Sequence, residues 1–305
     1  MIGPGQLALH LAGLLVMGVG WGGNIMLAKL ATSLGAPPAG LAFLEAAGSG
    51  LLLLLASWIR GRSPRLDGRH LRFYVISGAL GVAIPNFIIF HAARHLSAGL
   101  IAILMTLIPL VTYGVSLIMR IERFWWVRAL GLLFGLLGVT LILAPSSSLP
   151  DASVAHWVVV GFLATTMFAV QNVYIAHAWP RDGDALSLSC GGLIASAVML
   201  APLAWLQEGF IGLMPPWGAV QWAGIAMALV NALMSAIFIL SIRYAGPVFT
   251  SQTAYLITIA GVLWGMLLLH EHHSLWIWAA MLAMCAGVAL VTRRPRQRPA
   301  GEVLG

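Results

Sequence analysis

The stretch RHLSAGLIAILMTLIPLVTYGVSLIMRIER, Arg94–Arg123, occurs twice in outline. Its second form is RYAGPVFTSQTAYLITIAGVLWGMLLLHEHH, Arg243–His273. In each, an arginine opens an apolar run and a glutamate closes it, Glu122 in the first and Glu271 in the second. A further apolar run follows each glutamate, ending in Gly138–Val139 and Gly287–Val288. One ungapped offset of 149 positions carries Arg94 onto Arg243, Glu122 onto Glu271 and Gly138 onto Gly287. Arg and Glu are scarce in this chain, so their agreement in one frame is informative. The offset predicts two halves of one design, residues 1–145 and 146–305, with the function lying between them.

Composition places both halves in a bilayer. Of 305 residues, 60% are hydrophobic and 8% charged, against about 25% charged in a soluble domain. A membrane helix needs about 20 consecutive apolar residues. Ten such runs occur, over 7–31, 37–59, 73–91, 97–119, 125–144, 157–177, 186–206, 219–241, 248–269 and 275–292. They are numbered here as spans one to ten. The runs are continuous, not the alternating segments of a transmembrane β-barrel, so the expected fold is an all-α integral membrane protein. No Lys or Arg precedes the first run, which is read as a retained span and not a cleaved signal.

Basic residues set the expected orientation, because cytoplasmic loops carry the excess of Arg and Lys. Arg60, Arg62, Arg65, Arg69 and Arg72 follow span two, and Arg120, Arg123 and Arg128 follow span four. Arg181 and Arg243 follow spans six and eight, and Arg293, Arg294, Arg296 and Arg298 follow span ten. All fall on one side, opposite Arg94, while Lys29 lies inside span one. Both termini are therefore expected in the cytoplasm. The net charge of +7 is a topology signal on this reading, so no nucleic-acid partner is expected. Five spans per half is an odd number, which turns the second half upside down. Inverted five-helix repeats suit a carrier whose halves rock about a site near the midplane.

Polar groups in hydrocarbon are costly without partners and tend to face a cavity or another helix. Thr106, Pro109 and Tyr113 share one face of span four, being three and four residues apart. The offset carries them to Tyr255, Thr258 and Val262 in span nine, and carries Asn86 in span three to Ser235 in span eight. A shift of 147 carries Trp21 and Asn24 of span one onto Phe168 and Gln171 of span six, with Asn172 adjacent; Asn231 has no polar mate in the 149 frame. These groups are expected to line a substrate cavity, with Trp21, Tyr113, Phe168 and Tyr255 as its apolar walls. Interhelical hydrogen bonding and packing are the competing reading for each. Pro85 and Pro109 interrupt the hydrogen bonding of their helices. Lys29 and Glu45 are read either as an ion pair or as a coupling pair in which Glu45 carries a proton.

Other motifs add less. His270–Glu271–His272–His273 lacks the HExxH spacing of a zinc site, and Cys190 and Cys285 form no CxxC pair, so no metal is expected. No GxxxxGK[ST] loop occurs, which argues against nucleotide-driven pumping and against any cofactor. Gly131, Gly135 and Gly138 in span five, and Ala279, Ala283 and Gly287 in span ten, form small-residue faces that let helices approach closely. They are read as scaffold or as the seam of a homo-oligomer.

The pattern resembles the EamA-type carriers of the drug/metabolite transporter superfamily. The resemblance rests on Trp21–Gly22, on Ala92–Ala93–Arg94–His95–Leu96–Ser97–Ala98, on Pro109–Leu110, Glu122, Gly131 and Gly138–Val139. The second copy keeps Arg243–Tyr244–Ala245–Gly246–Pro247, Glu271 and Gly287–Val288. Many members have an Arg–Phe pair in span two, where this chain has Phe43–Leu44–Glu45. The resemblance implies a multi-pass carrier of the cytoplasmic (inner) membrane with a central cavity built from spans one, three, four, six, eight and nine. It further implies an exporter of small metabolites, with YddG-like amino acid exporters of broad selectivity as the functional comparison. An exporter of lipophilic cations, with Glu45 as counter-charge, is the alternative substrate class. An intramembrane enzyme is disfavoured, since no His–Asp or carboxylate pair falls at matching depth in the spans.

Overall fold

The computed structural model describes residues 4–92, 104–143, 155–207, 209–269 and 275–292. Among the described residues the chain is helical throughout, without strands, and makes ten helical passages at the ten apolar runs. Spans one and two are Pro4–Ser33 and Pro38–Ile59. Span three is Gly68–Gly78, a π-helical turn Ala79–Ala83 and then Ile84–Ala92. Span four includes the apolar stretch Leu104–Ile118, interrupted at Leu107. Spans five to eight are Trp126–Leu143, Ala155–His177, Ala185–Gln207 and Ala219–Ala245. Span nine is Pro247–Ser251 followed by Thr253–Leu269, and span ten is Leu275–Thr292.

Local chemistry explains the ends. Pro37 is extended and Pro38 opens span two, where a missing N–H costs nothing. Span three begins five residues before its hydropathy does, because Asp67 caps it, accepting from Arg69 N at 3.0 Å and His70 N at 3.2 Å. Those bonds, led by the one from the His70 backbone, hold the Asp67 carboxyl below its ordinary value. Asp184 caps span seven in the same way, accepting from Leu186 N and Ser187 N, each at 3.1 Å. Span eight ends at Gly246, whose φ of 90° suits glycine, and Pro247 starts span nine at once.

Six described helices are long and apolar enough to cross a membrane, by length and composition: Gln6–Ser33, Pro38–Ile59, Gly68–Ile89, Val159–His177, Ala185–Leu206 and Ala219–Ala245. Their outer faces carry exposed leucines such as Leu51, Leu55, Leu229 and Leu233. In water such surface would be unfavourable; against lipid tails it is solvated.

The packing is regular. Span one packs against eight and nine, and span six against three and four. Span two packs against seven and eight, and span seven against two and three. Spans five and ten pack on each other through their glycines. A Cβ on Gly287 would lie 2.6 Å from the Gly131 carbonyl oxygen and 2.9 Å from Gly135 N. Gly131 and Gly287 thus meet inside one chain, where the sequence left an oligomer seam open. Ala279 is exposed and stands outside this contact. Arg94 and His270–Glu271–His272–His273, on which the repeat and the metal reading drew, lie outside the described residues.

Candidate functional site

The candidate site residues fall into two polar clusters. The first joins spans one, two and eight. Trp21 Nε1 donates to Asn231 Oδ1 at 3.0 Å, and Asn231 Nδ2 donates to Ser49 Oγ at 3.2 Å. Ser49 Oγ in turn donates to the carbonyls of Glu45 at 2.6 Å and Ala228 at 3.0 Å. Asn24 Nδ2 donates to Glu45 Oε1 at 2.6 Å. Ser235, one turn beyond Asn231, donates to its Oδ1 at 3.4 Å, while Ser189 of span seven donates to the Ser235 carbonyl at 3.0 Å. Asn24, Glu45, Ser49 and Asn231 are all buried, and Asn24 Oδ1 is buried with no partner among the described residues. A carboxyl group at this depth is expensive to keep, which is why such groups mark function in membrane helices.

The second cluster joins spans three, four and six. Just before the π turn of span three, the carbonyls of Ser77 and Gly78 accept from side chains of other spans: Gln171 Nε2 at 3.2 Å and Ser196 Oγ at 3.1 Å. Gln171 lies on Gly81 so closely that a Cβ there would overlap its amide. Asn172, buried beside it, donates from Nδ2 to Thr112 Oγ1 at 3.2 Å and leaves Oδ1 buried without a partner among the described residues. Asn86 is half-buried one residue past Pro85 and makes no side-chain hydrogen bond among the described residues.

The aromatic residues divide. Trp21 joins the first cluster and packs edge-on against Phe238, ring centroids 5.4 Å apart. Phe168 is half-buried on span six, three residues before Gln171. Tyr113 is buried among Leu132, Val248 and Val291, and its hydroxyl accepts from Trp125 N at 2.7 Å, so it anchors the turn after span four. Tyr255 is fully buried against Gly135, and its hydroxyl donates to the Leu132 carbonyl at 3.1 Å. Both tyrosines are committed to packing. Thr106 is fully buried on the same face of span four as Pro109. The Lys29 side chain lies outside the described set, so an ion pair with Glu45 is not assigned.

The structure brings in residues that sequence reasoning passed over. Ser49 stands one turn after Glu45, a spacing that puts both on one helix face; that signal was readable. Thr112 pairs with Asn172 from 60 positions away, and nothing local marks it. Gln252 sits at the break in span nine, fully buried, with Nε2 on the Val248 carbonyl at 3.1 Å and Oε1 unpartnered among the described residues. Spans four and nine are each interrupted by one turn residue, Leu107 and Gln252.

A multi-pass helical bundle with buried amides and a carboxyl group at span depth has the character of a membrane transporter. The chain belongs to the EamA-like transporter family, whose pattern matches residues 9–144 and again 155–293. It is 23% identical over 309 residues to the Uncharacterized transporter YvbV of Bacillus subtilis (strain 168), covering 97% of this chain and 94% of that protein. It is 22% identical over 272 residues to Protein PecM of Dickeya dadantii (strain 3937), covering 85% and 86% of the two chains. A solved structure described only as "Crystal structure of protein" matches with a TM-score of 0.72 at 17% identity, over 92% of this chain and 98% of that one. At that identity the likeness speaks for the fold alone.

Proposed function

We propose that the protein is a secondary transporter that exports small metabolites, amino acids of broad selectivity including aromatic ones, by alternating access in the cytoplasmic membrane. The observation that carries this reading is the pair of polar clusters, one on spans one, two and eight and the other on spans three, four and six. Renumbering each span by five exchanges most of the packing partners: one with eight and nine becomes six with three and four. The pairs two–seven and five–ten map onto themselves. Together with the double family match over 9–144 and 155–293, this supports two equivalent halves, 1–145 and 146–305; the odd number of spans in each would invert them, and the arginine-rich turns would put both termini in the cytoplasm. Trp21, Asn24, Asn231 and Ser235 from one cluster, Gln171 and Asn172 from the other, and Asn86 and Phe168 on the same spans as the second would contact the substrate. Amides offer both donors and acceptors to an ammonium and a carboxylate.

A second reading is favoured by one observation, the buried Glu45 carboxyl beside Asn24. It would serve as counter-charge for a lipophilic cation, or as the proton-carrying group of an amino acid exporter. Counterflow into proteoliposomes with labelled neutral, aromatic and basic amino acids and one viologen-type cation separates these. The lead reading expects accumulation of neutral or aromatic amino acids, lowered at least about tenfold by Asn24→Ala or Gln171→Ala. Movement of the cation alone, abolished in Glu45→Gln, would replace it with the drug reading. Amino acid counterflow that survives both amide substitutions would remove the clusters from the site.

A further inference from the structure

The turn between spans seven and eight, 209–218, takes no part in the polar clusters. Its sequence is GFIGLMPPWG, without a charged residue. Between Asp184 and Arg243 the chain holds a single charge, Glu208. Phe210, Leu213, Met214 and Trp217 are all exposed, Met214 by 88%. Trp205 and Leu206 before the turn are 75% and 78% exposed, and Trp222 after it is exposed too. An apolar patch of this kind marks a surface that something covers. The turn after span two is of the opposite kind: it carries Arg60, Arg62, Arg65 and Asp67 and suits water.

The exposed side chains stand on a fixed base. Gly209 N donates to the Ala204 carbonyl at 2.8 Å, closing span seven. A Cβ on Gly40 would lie 2.6 Å from the Gly209 carbonyl oxygen, so the turn rests directly on the first turn of span two. Phe210 packs edge-on against Phe43 of the same span, ring centroids 4.9 Å apart, and Ile211 packs against the cluster of Ala28, Ala31, Ala36 and Leu41. The Gln221 side chain accepts from Gly218 N at 3.0 Å and donates to the Gly212 carbonyl at 3.2 Å. Trp217 Nε1 donates to the Leu213 carbonyl at 2.8 Å, and its ring meets Trp222 edge-on with centroids 5.2 Å apart. These polar groups are satisfied from within, the arrangement a backbone needs where water is scarce.

Span seven has 23 residues, about 34 Å at 1.5 Å per residue, against about 30 Å of hydrocarbon. Its end, with Trp205, therefore reaches the edge of the hydrocarbon, and the turn starts there. Tryptophan concentrates at that level, and Trp205, Trp217 and Trp222 bracket the turn. The patch also continues the outer faces of spans seven and eight, where Val198, Leu229 and Leu233 are exposed. We propose that the turn 209–218 does not project into water but lies in the bilayer interface, with Phe210, Leu213, Met214 and Trp217 set among lipid where head groups meet acyl chains. Apolar faces seat themselves about 5–10 Å into that boundary. A second copy of the chain is the poorer fit: protein interfaces carry a polar rim, and the one polar side-chain group of 209–218, the Trp217 N–H, is already bonded. Seated there, the turn holds the starts of spans two and eight at one depth, whatever substrate is carried.

The test is a fluorescence depth measurement on the full chain in phosphatidylcholine proteoliposomes. With Cys190 and Cys285 replaced by alanine, Met214→Cys is labelled with a nitrobenzoxadiazole dye; so, separately, is Ser63→Cys, exposed in the turn after span two. Met214 is exposed, so its replacement removes little packing, and Leu213→Cys repeats the measurement. The expected result at 214 and 213 is blue-shifted emission, quenched several-fold more by a lipid carrying a nitroxide near its head group than by iodide present on both faces. Position 63 should show the reverse. Iodide quenching at 214 without lipid quenching would put the turn in water. Protection from both quenchers would put it against protein, and equal lipid quenching at 63 would mean that the dye alone seeks the bilayer. Each of these three overturns the proposal.

Discussion

Gly287→Ala should unfold the protein at a distinctly lower temperature, while Gly114→Ala should leave it unchanged or more stable. The same methyl group is added to a membrane helix in both. In an exposed helix interior it gains up to about 1 kcal/mol over glycine. At Gly114 the new Cβ meets nothing within 4 Å, so that gain is free to appear. At Gly287 it meets the Gly131 carbonyl at 2.6 Å and the Gly135 backbone at 2.9 Å. Backbone atoms cannot rotate aside, so spans five and ten must part along their whole contact. Overpacking of this kind costs about 1–3 kcal/mol. Fluorescence-detected thermal melts in one detergent decide it. Equal shifts for the two variants would mean that the glycine seam does not hold spans five and ten together.

Asn231→Ala should reduce counterflow of the transported amino acid by at least about tenfold, whereas Tyr255→Phe should lower stability and spare transport. Asn231 is the joint of the first cluster, accepting from Trp21 and Ser235 and donating to Ser49. Its removal leaves the half-buried Trp21 N–H without its acceptor and takes away one of the two bonds that tie Ser49 of span two to span eight, the one to the Ala228 carbonyl remaining. Leaving buried groups unpaired costs about 1–3 kcal/mol, or roughly tenfold and upward in a rate that depends on their placement. Tyr255 loses one bond of its own, to the Leu132 carbonyl, at a seam remote from the amides. Its cost is near the ~0.6 kcal/mol usual for such bonds in membranes. A transport defect in Tyr255→Phe as large as in Asn231→Ala would return the tyrosines to the substrate path.

The contrast between these residues shows what can be read from a membrane sequence. Ten apolar runs become ten helical passages because hydrogen-bond satisfaction in lipid leaves the backbone few alternatives. The break in span four was announced by Pro109, and the sharp turn into span nine by Gly246–Pro247. The cap at Asp67 was also readable, as an acid just before a helix. Hydropathy hid it, since the first turn of span three carries Arg69 and Arg72. The π turn at Ala79–Ala83 has no local signature; the Gln171 and Ser196 side chains that bond the carbonyls just before it come from other spans. Trp21 and Asn231 pair across 210 positions, a distance no periodicity reports. Tyr113 and Tyr255 carry the same helical spacing whether they wall a cavity or fill a seam, so only packing separates the two. The offset of 149 paired spans three with eight and four with nine, and a shift of 147 paired one with six; Asn24 and Gln171, named by the second, each hydrogen-bond across spans. Neither shift gave weight to span two, where Glu45 and Ser49 complete the first cluster.

The central claim is that the polar clusters line a path opened to each side in turn, and cysteine accessibility at position 235 tests it most directly. Ser235 is half-buried next to Asn231. In a chain with Cys190 and Cys285 replaced by alanine, Ser235→Cys is labelled by a membrane-impermeant thiol reagent added to either face of sealed vesicles. Ser196→Cys, fully buried between spans, is the control. The account predicts that position 235 reacts from both faces, that the transported amino acid slows both reactions, and that position 196 stays unlabelled. Reaction from one face only, or from neither, would contradict it.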